Sequence, residues 1–246
     1  LKIWWLAISL CMVMTRAEAR VFNISNEKFA SYFSLTYGPS AIGKNAFAGE
    51  AATTDTYSGG VGSNYTGEFG FLYSTPMVSL RFGFEVFKPS ALKSVTATNS
   101  GGTDIYTVDS AITAYAPKLG LEINLQSSPT YRAFIAAYAG SGSASYKNDY
   151  TILSFGGVSD HSVEAKGSGM LYGGSLGVES HLTDTTTYIF ELGYRQMKID
   201  NLKYAKDVTT FSGAKVAGDD VVDAAGEKRV LDFTGGYVSL GFRFYM

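Results

Sequence analysis

The sequence predicts an all-β fold, an eight-stranded antiparallel up-and-down transmembrane β-barrel. Three observations predict it. Hydrophobic residues recur with period two through most of the chain, so each segment has one apolar and one polar face, the pattern of strands. The segments come in pairs, with tight turns inside each pair and long polar connections between pairs. The composition, with 28 Gly, 17 Tyr and 16 Phe but only 17% charged residues, favours strands over helices.

The first strand runs from Phe29 to Gly38 with Phe33, Leu35 and Tyr37 on one face. The first hairpin puts Phe69, Phe71 and Tyr73 opposite Glu68 and Gly70, turns at Ser74-Thr75-Pro76, and returns with Val78, Leu80, Phe82, Phe84 and Val86 opposite Ser79, Arg81, Gly83 and Glu85. In the second hairpin Tyr115, Leu119, Leu121, Ile123 and Leu125 oppose Lys118, Gly120, Glu122 and Asn124. The turn Gln126 to Thr130 leads to Tyr131, Ala133, Ile135 and Ala137, opposite Arg132, Ala136 and Gly140. Pro117 lacks a ladder donor, so a bulge is expected there. The third hairpin sets Tyr172, Leu176, Val178 and Leu182 against Gly173, Ser175, Gly177, Glu179 and His181, turns at Thr183-Asp184-Thr185, and continues with Tyr188, Phe190, Leu192 and Tyr194 against Glu191, Gly193 and Arg195. A last strand, Phe233 to Met246, carries Val238, Leu240, Phe242 and Phe244 on one face.

Residues 39–65, 88–110, 141–168 and 197–230 connect these units and are read as long loops. Strict alternation of short and long connections matches bacterial outer-membrane barrels, which have short periplasmic turns and long extracellular loops. Strands of about 9–11 tilted residues suffice to cross the hydrocarbon. Tyrosines lie near both ends of the segments: Tyr73, Tyr131 and Tyr188 beside the turns, Tyr37, Tyr115 and Tyr194 near the loops, where aromatic girdles would sit. The alternative is a secreted lectin-like or jelly-roll domain with its apolar faces turned inward.

The amino terminus reads as an address. Lys2, an apolar run from Ile3 to Met14, and Ala17 and Ala19 at the minus-three and minus-one positions form a signal peptide over residues 1–19, cut before Arg20. Residues 20–246 are then the barrel domain. The single cysteine, Cys11, falls in that leader, which leaves no thiol for a disulfide, a Cys-ligated zinc or a thiolate nucleophile. With 20 Lys+Arg against 22 Asp+Glu and no basic cluster, a nucleic-acid partner is excluded.

The terminal stretch Tyr237-Val238-Ser239-Leu240-Gly241-Phe242-Arg243-Phe244-Tyr245-Met246 resembles the carboxy-terminal signal of outer-membrane barrels. Gly173 to Glu179 through Leu192-Gly193-Tyr194-Arg195 resembles the penultimate hairpin of the small OmpA- and OmpX-like barrels and the opacity proteins. The resemblance implies an outer-membrane location and an assembly signal at Gly241, Phe242, Phe244 and Met246, the last departing from the usual closing aromatic. It also implies, as partners, periplasmic chaperones, the barrel-assembly machinery, and outer-membrane lipid with lipopolysaccharide.

The inward faces carry the cations Arg81, Lys118, Arg132, Arg195 and Arg243 and the anions Glu68, Glu85, Glu122, Glu179 and Glu191. An eight-stranded barrel is just wide enough for side chains to fill, and unpaired charges there would be costly, so these ten are expected to interlock. A non-enzymatic barrel with a charge-plugged lumen, serving envelope integrity or surface adhesion through its loops, is the expected function. A narrow or gated porin-like channel for small solutes is the alternative. Catalysis would need a base, an orienting carboxylate and a nucleophile in reach; the candidates are His161, in a loop before Ser162, and His181, which shares a face with Glu179. No cofactor or metal is expected, the acidic run Gly218 to Asp223 being read as a solvated loop. Residues 197–230, with Lys198, Lys203, Lys206, Lys215, Lys228 and Arg229 among six acids, suit contact with lipopolysaccharide phosphates or an extracellular ligand. Arg in place of lipid-facing Phe82 or Leu121 is expected to be costly, and Gly83→Ser to be tolerated.

Overall fold

The structure is a computed structural model that describes residues 22–246. The expected signal peptide lies outside the described residues. Every regular element among those residues is a strand. Eight strands form the wall: β1 (Phe29–Gly43), β2 (Val61–Ser74), β3 (Val78–Pro89), β4 (Asp104–Ser127), β5 (Tyr131–Ile152), β6 (His161–Thr183), β7 (Thr186–Ile199) and β8 (Gly235–Tyr245). Each pairs antiparallel with its chain neighbour, and the ring closes where β1 meets β8, from Ala30↔Tyr245 to Tyr37↔Val238. Closure leaves the wall without an unpaired edge.

Three tight turns lie at one end. The Thr75 hydroxyl accepts from the Val78 N–H at 3.1 Å, and the Ser128 hydroxyl does the same for Tyr131 at 3.1 Å, short polar side chains thus replacing backbone partners in the turn. The segment before β1 crosses the same end: the Ile24 N–H donates to the Pro129 carbonyl at 3.0 Å, and Phe22 stacks on His181 and packs on Tyr245.

The opposite end departs from the sequence reading. Residues 88–110 and 141–168 are mostly strand, because β4, β5 and β6 run for 24, 22 and 23 residues, more than twice what a bilayer requires. Only residues 153–160 connect β5 to β6. Short strands extend this taller wall: Leu92–Thr98 pairs with β4, Lys203–Tyr204 with β6, and Leu231–Asp232 with β7. Inside it lies the main apolar core, with Ile42, Phe47, Phe87, Val108, Ile112, Leu171, Met197, Leu231 and Phe233 all buried. The connections are therefore a folded cap rather than long loops.

Pro117 makes no bulge. It faces Phe84 between the regular pairs Gly83↔Lys118 and Glu85↔Ala116, and the register to β5 is the same at Tyr115↔Ser143 and Lys118↔Gly140. One missing donor does not shift a strand whose flanking pairs hold on both sides. Gly140 lets the strands approach closely there, since a side chain at that position would strike the Pro117 carbonyl. The irregularity in this hairpin falls instead between Asn124 and Gln126, beside the turn.

The outer face of the wall is apolar over a belt. Leu35, Phe69, Phe82, Leu119, Leu121, Leu176, Leu192 and Leu240 are exposed, each close to half or more of its surface. Exposed tyrosines flank this belt, Tyr73 and Tyr188 toward the turns and Tyr37, Tyr65, Tyr115 and Tyr194 toward the cap.

Candidate functional site

Opposite parity along the same strands turns ten charges inward. Glu68, Arg81, Glu85, Lys118, Glu122, Arg132, Glu179, Glu191, Arg195 and Arg243 are all buried, and they meet in three tiers. Nearest the turns, Arg243 donates to Glu122 at 2.5 Å and Glu179 at 2.7 Å, while Arg132 donates to Glu179 at 2.5 Å and to the Ser74 and Ser79 hydroxyls at 2.7 and 2.9 Å. In the middle, Arg81 bridges Glu191 at 2.6 Å and Glu68 at 3.1 Å. Toward the cap, Lys118 spans Glu68 and Glu85 at 2.9 and 2.8 Å, and Arg195 reaches Glu85 at 2.6 Å. Shared partners link the tiers: Lys118 through Glu68, and Arg81 through Glu122 at 3.6 Å.

Neutral side chains complete the network. Tyr32, Thr66, Ser175, Thr187 and Tyr245 donate hydroxyl hydrogens to Glu68, Glu85, Glu191, Glu179 and Glu179 in turn, at 2.5 to 3.1 Å. Rings cover the cations: Arg81 lies 4.5 Å from the Tyr32 ring centre, Lys118 4.4 Å from Tyr138, and Arg195 4.6 Å from Phe87. These neutral partners were not singled out from sequence, although their inward parity is readable there. Tyr32, for example, alternates with the lipid-side Phe33.

Space inside is almost absent. The void between Glu68, Arg81, Lys118, Glu122, Glu191 and Tyr237 measures about 10 Å³, about what one water molecule needs. Above Arg195, Phe87 and Phe233 meet edge to face at 5.6 Å and begin the apolar cap. Charge is thus stacked inside an apolar belt, the inverse of a water-soluble protein.

This is the architecture of a closed eight-stranded transmembrane β-barrel. No protein-family model matches the chain, and no curated protein matches it in sequence. Among solved structures it is similar to the outer membrane protein OprG from Pseudomonas aeruginosa, at 12% identity over 89% of this chain and 96% of that one, with a TM-score of 0.46. It is similar also to Neisserial surface protein A, at 11% identity over 89% and 97% with a TM-score of 0.42. Ail, the attachment invasion locus protein of Yersinia pestis, is similar at 13% identity over 89% and 99%, with a TM-score of 0.41.

The barrel brings neither histidine into a catalytic set. Glu179 is occupied by Arg132, Arg243, Thr187 and Tyr245, while His181 stacks on Phe22 at 5.2 Å between ring centres, so the Glu179–His181 dyad does not form. His161 begins β6 rather than sitting in a loop. It stacks on Tyr150 at 5.0 Å and holds the Ser159 carbonyl through Nδ1 at 2.9 Å. The acids of 218–223 are used singly: Asp220 pairs with Lys203 and Lys228 at 3.2 and 2.8 Å, and Asp223 accepts the N–H groups of Ala225 and Glu227.

A further charge pair went unseen in sequence. Arg229, read as one of the loop cations suited to lipopolysaccharide phosphates, is 5% exposed. It donates to the Asn45 and Ala48 carbonyls at 2.5 and 3.0 Å and to Glu50 at 2.7 Å, while Asn148 donates to the Ala46 carbonyl at 2.7 Å. The first long connection is thereby pinned to the last across the top of the cap. Burial pushes the Glu50 carboxyl above its ordinary range, with Arg229 opposing that shift.

Two substitutions test the faces. Phe82→Arg or Leu121→Arg should cost about 2–4 kcal/mol near the midplane, measured by urea unfolding in lipid vesicles. Gly83→Ser, expected from sequence to be neutral, is corrected by the structure. A side chain at Gly83 would collide with the Tyr32 hydroxyl and the Glu68 carboxylate, which hold each other at 2.6 Å. Overpacking of that kind costs about 1–3 kcal/mol. Unfolding midpoints unchanged at Gly83 would show that Tyr32 yields freely.

Proposed function

We propose that the protein is a closed outer-membrane barrel, non-enzymatic, that holds a folded cap at the cell surface for envelope integrity or surface interaction. The observation that carries this reading is the inverted wall: an apolar belt outside, ten mutually paired charges inside, and space for about one water between them. Side chains facing hydrocarbon must be apolar, whereas a narrow lumen tolerates charge only when paired. A conducting path would need a continuous polar opening. Here the ionic tiers fill the barrel and Phe87 and Phe233 cover them.

The C-terminal strand supports the assembly reading. Phe242 and Phe244 face outward on β8 and Met246, just past its end, is exposed, but both edges of β8 are paired in the closed ring. The assembly machinery and periplasmic chaperones would have to read Gly241 to Met246 before closure. The cap, as the part standing clear of lipid, is where an extracellular partner would bind.

Planar-bilayer recording of the refolded protein tests the closed state against the channel. The expected result is no steady conductance from the wild type, with openings appearing only when a lumen charge such as Arg81 or Glu68 is neutralised. Large, stable wild-type openings whose ion selectivity shifts in those variants would establish a channel instead.

A further inference from the structure

The outer face of β4, β5 and β6 changes character directly above the apolar belt. A recess of about 530 Å³ opens there, lined by Tyr115, Ser143, Ser145, Ser168, Lys166 and Lys203. Lys166 and Lys203 stand opposite each other in the ladder and are both exposed. Like charges so placed repel and weaken the pairing. Lys203 donates to the Gly218 carbonyl at 3.0 Å and shares Asp220 with Lys228, and Lys166 has no ion-pair partner among the described residues. The carboxylates closest in register are engaged elsewhere, Glu164 with Lys206 and Asp149 with Lys147, each at 2.8 Å. Two ammonium groups and three hydroxyls therefore line one concavity that wants an anion.

Its height on the wall says which kind. Tyr115 lies at the upper edge of the apolar belt and forms the floor of the recess. Below Ser143 the outward positions of β5 continue as Ser141, Ala139 and Ala137, all small, between Leu119 and Leu121 on β4 and Met170 and Tyr172 on β6. Strands two apart stand roughly 10 Å from each other, so the small residues leave a trough of hydrocarbon-chain width leading down from the lysines.

We propose that this recess is a binding site for the phosphorylated headgroup of an outer-leaflet lipid, with one acyl chain in the trough along β5. Phosphate esters suit paired ammonium and hydroxyl donors, and anionic headgroups lie at the level of the upper aromatic belt. The site rests on the membrane-embedded reading above.

The test uses the full chain refolded in detergent, its folded state checked by heat-modifiable migration on gels. Native mass spectrometry then follows retention of a hexa-acylated, diphosphorylated lipid A, of its dephosphorylated form, and of the diphosphorylated lipid against inorganic phosphate. Saturable retention of the diphosphorylated lipid is expected. The double variant K166A/K203A should weaken it about tenfold or more, as loss of charge-assisted contacts predicts. Ala139→Trp, which fills the trough and leaves both lysines in place, should weaken it too, and Lys28→Ala, exposed at the turn end of the barrel, should not. Equal retention by K166A/K203A, equal retention of the dephosphorylated lipid, or displacement by equimolar inorganic phosphate would each overturn the site. Failure of the barrel reading would show separately, as absence of the heat-modifiable band in the wild type.

Discussion

Arg243→Ala should destabilise the barrel by about 3–5 kcal/mol, the cost of leaving a buried charge without its partner. Arg243 is fully buried and is the hinge of the tier nearest the turns, holding Glu122 at 2.5 Å and Glu179 at 2.7 Å. Without it, Glu179 keeps Arg132, but Glu122 is left with Arg81 and Arg132, each 3.6 Å away. Two carboxylates then face a deficit of positive charge in a space that water cannot fill. Urea unfolding in vesicles should show the midpoint falling with little change in slope. The double variant Arg243→Met with Glu122→Gln should recover much of the loss, because it removes both the cation and the charge left behind. If the double variant is as unstable as the single one, the tier contributes through packing rather than charge.

Arg229→Ala should release the cap while leaving the barrel intact. The guanidinium satisfies two part-buried carbonyls and the buried Glu50 carboxylate at once, so its removal leaves Glu50 buried without its cation and two carbonyls without their donor, a local loss of about 3–5 kcal/mol. Limited proteolysis should cut within residues 44–55 in the variant and not in the wild type, with the heat-modifiable band preserved in both. The effect should depend on pH in a defined direction. Glu50 already titrates above its ordinary range because it is buried, and its surroundings, Tyr146, Tyr150, Tyr204 and His161, offer no other fixed cation. A folded-state pKa raised in this way favours the folded cap at low pH and penalises it once the carboxyl ionises. Protection of the variant should therefore return on acidification and be lost as pH rises through the Glu50 titration. Cleavage independent of pH would assign the latch to the carbonyl contacts alone.

The membrane half of the molecule was legible in sequence because lipid imposes a strict period. Leu119 and Leu121 alternate with Lys118, Gly120 and Glu122, so hydrocarbon and lumen select opposite residue types at every step. Above the belt that selection stops. Ser143, Ser145 and Lys147 face outward while Ala144, Tyr146 and Asn148 face inward, and with water outside instead of lipid the contrast disappears. The same strand consequently reads as a polar loop. Glu50 and Arg229 are far apart in the chain, and nothing local at either position marks the other. Parity correctly set Gly83 on the lumen side, but parity does not tell what already fills the space beside it, which is why its tolerance to Ser was misjudged.

The continuous rise of β4, β5 and β6 from the belt into the cap has an immunological consequence on the surface-display reading. A molecule approaching from outside meets a rigid sheet whose side chains are spaced by the ladder, and neighbouring positions such as Lys147 and Glu164 come from different strands. Antibodies raised against the folded protein should thus recognise discontinuous determinants destroyed by boiling. A linear peptide spanning 141–152 should compete poorly for them, since it lacks β4 and β6, the partner strands that hold its alternate residues on one face.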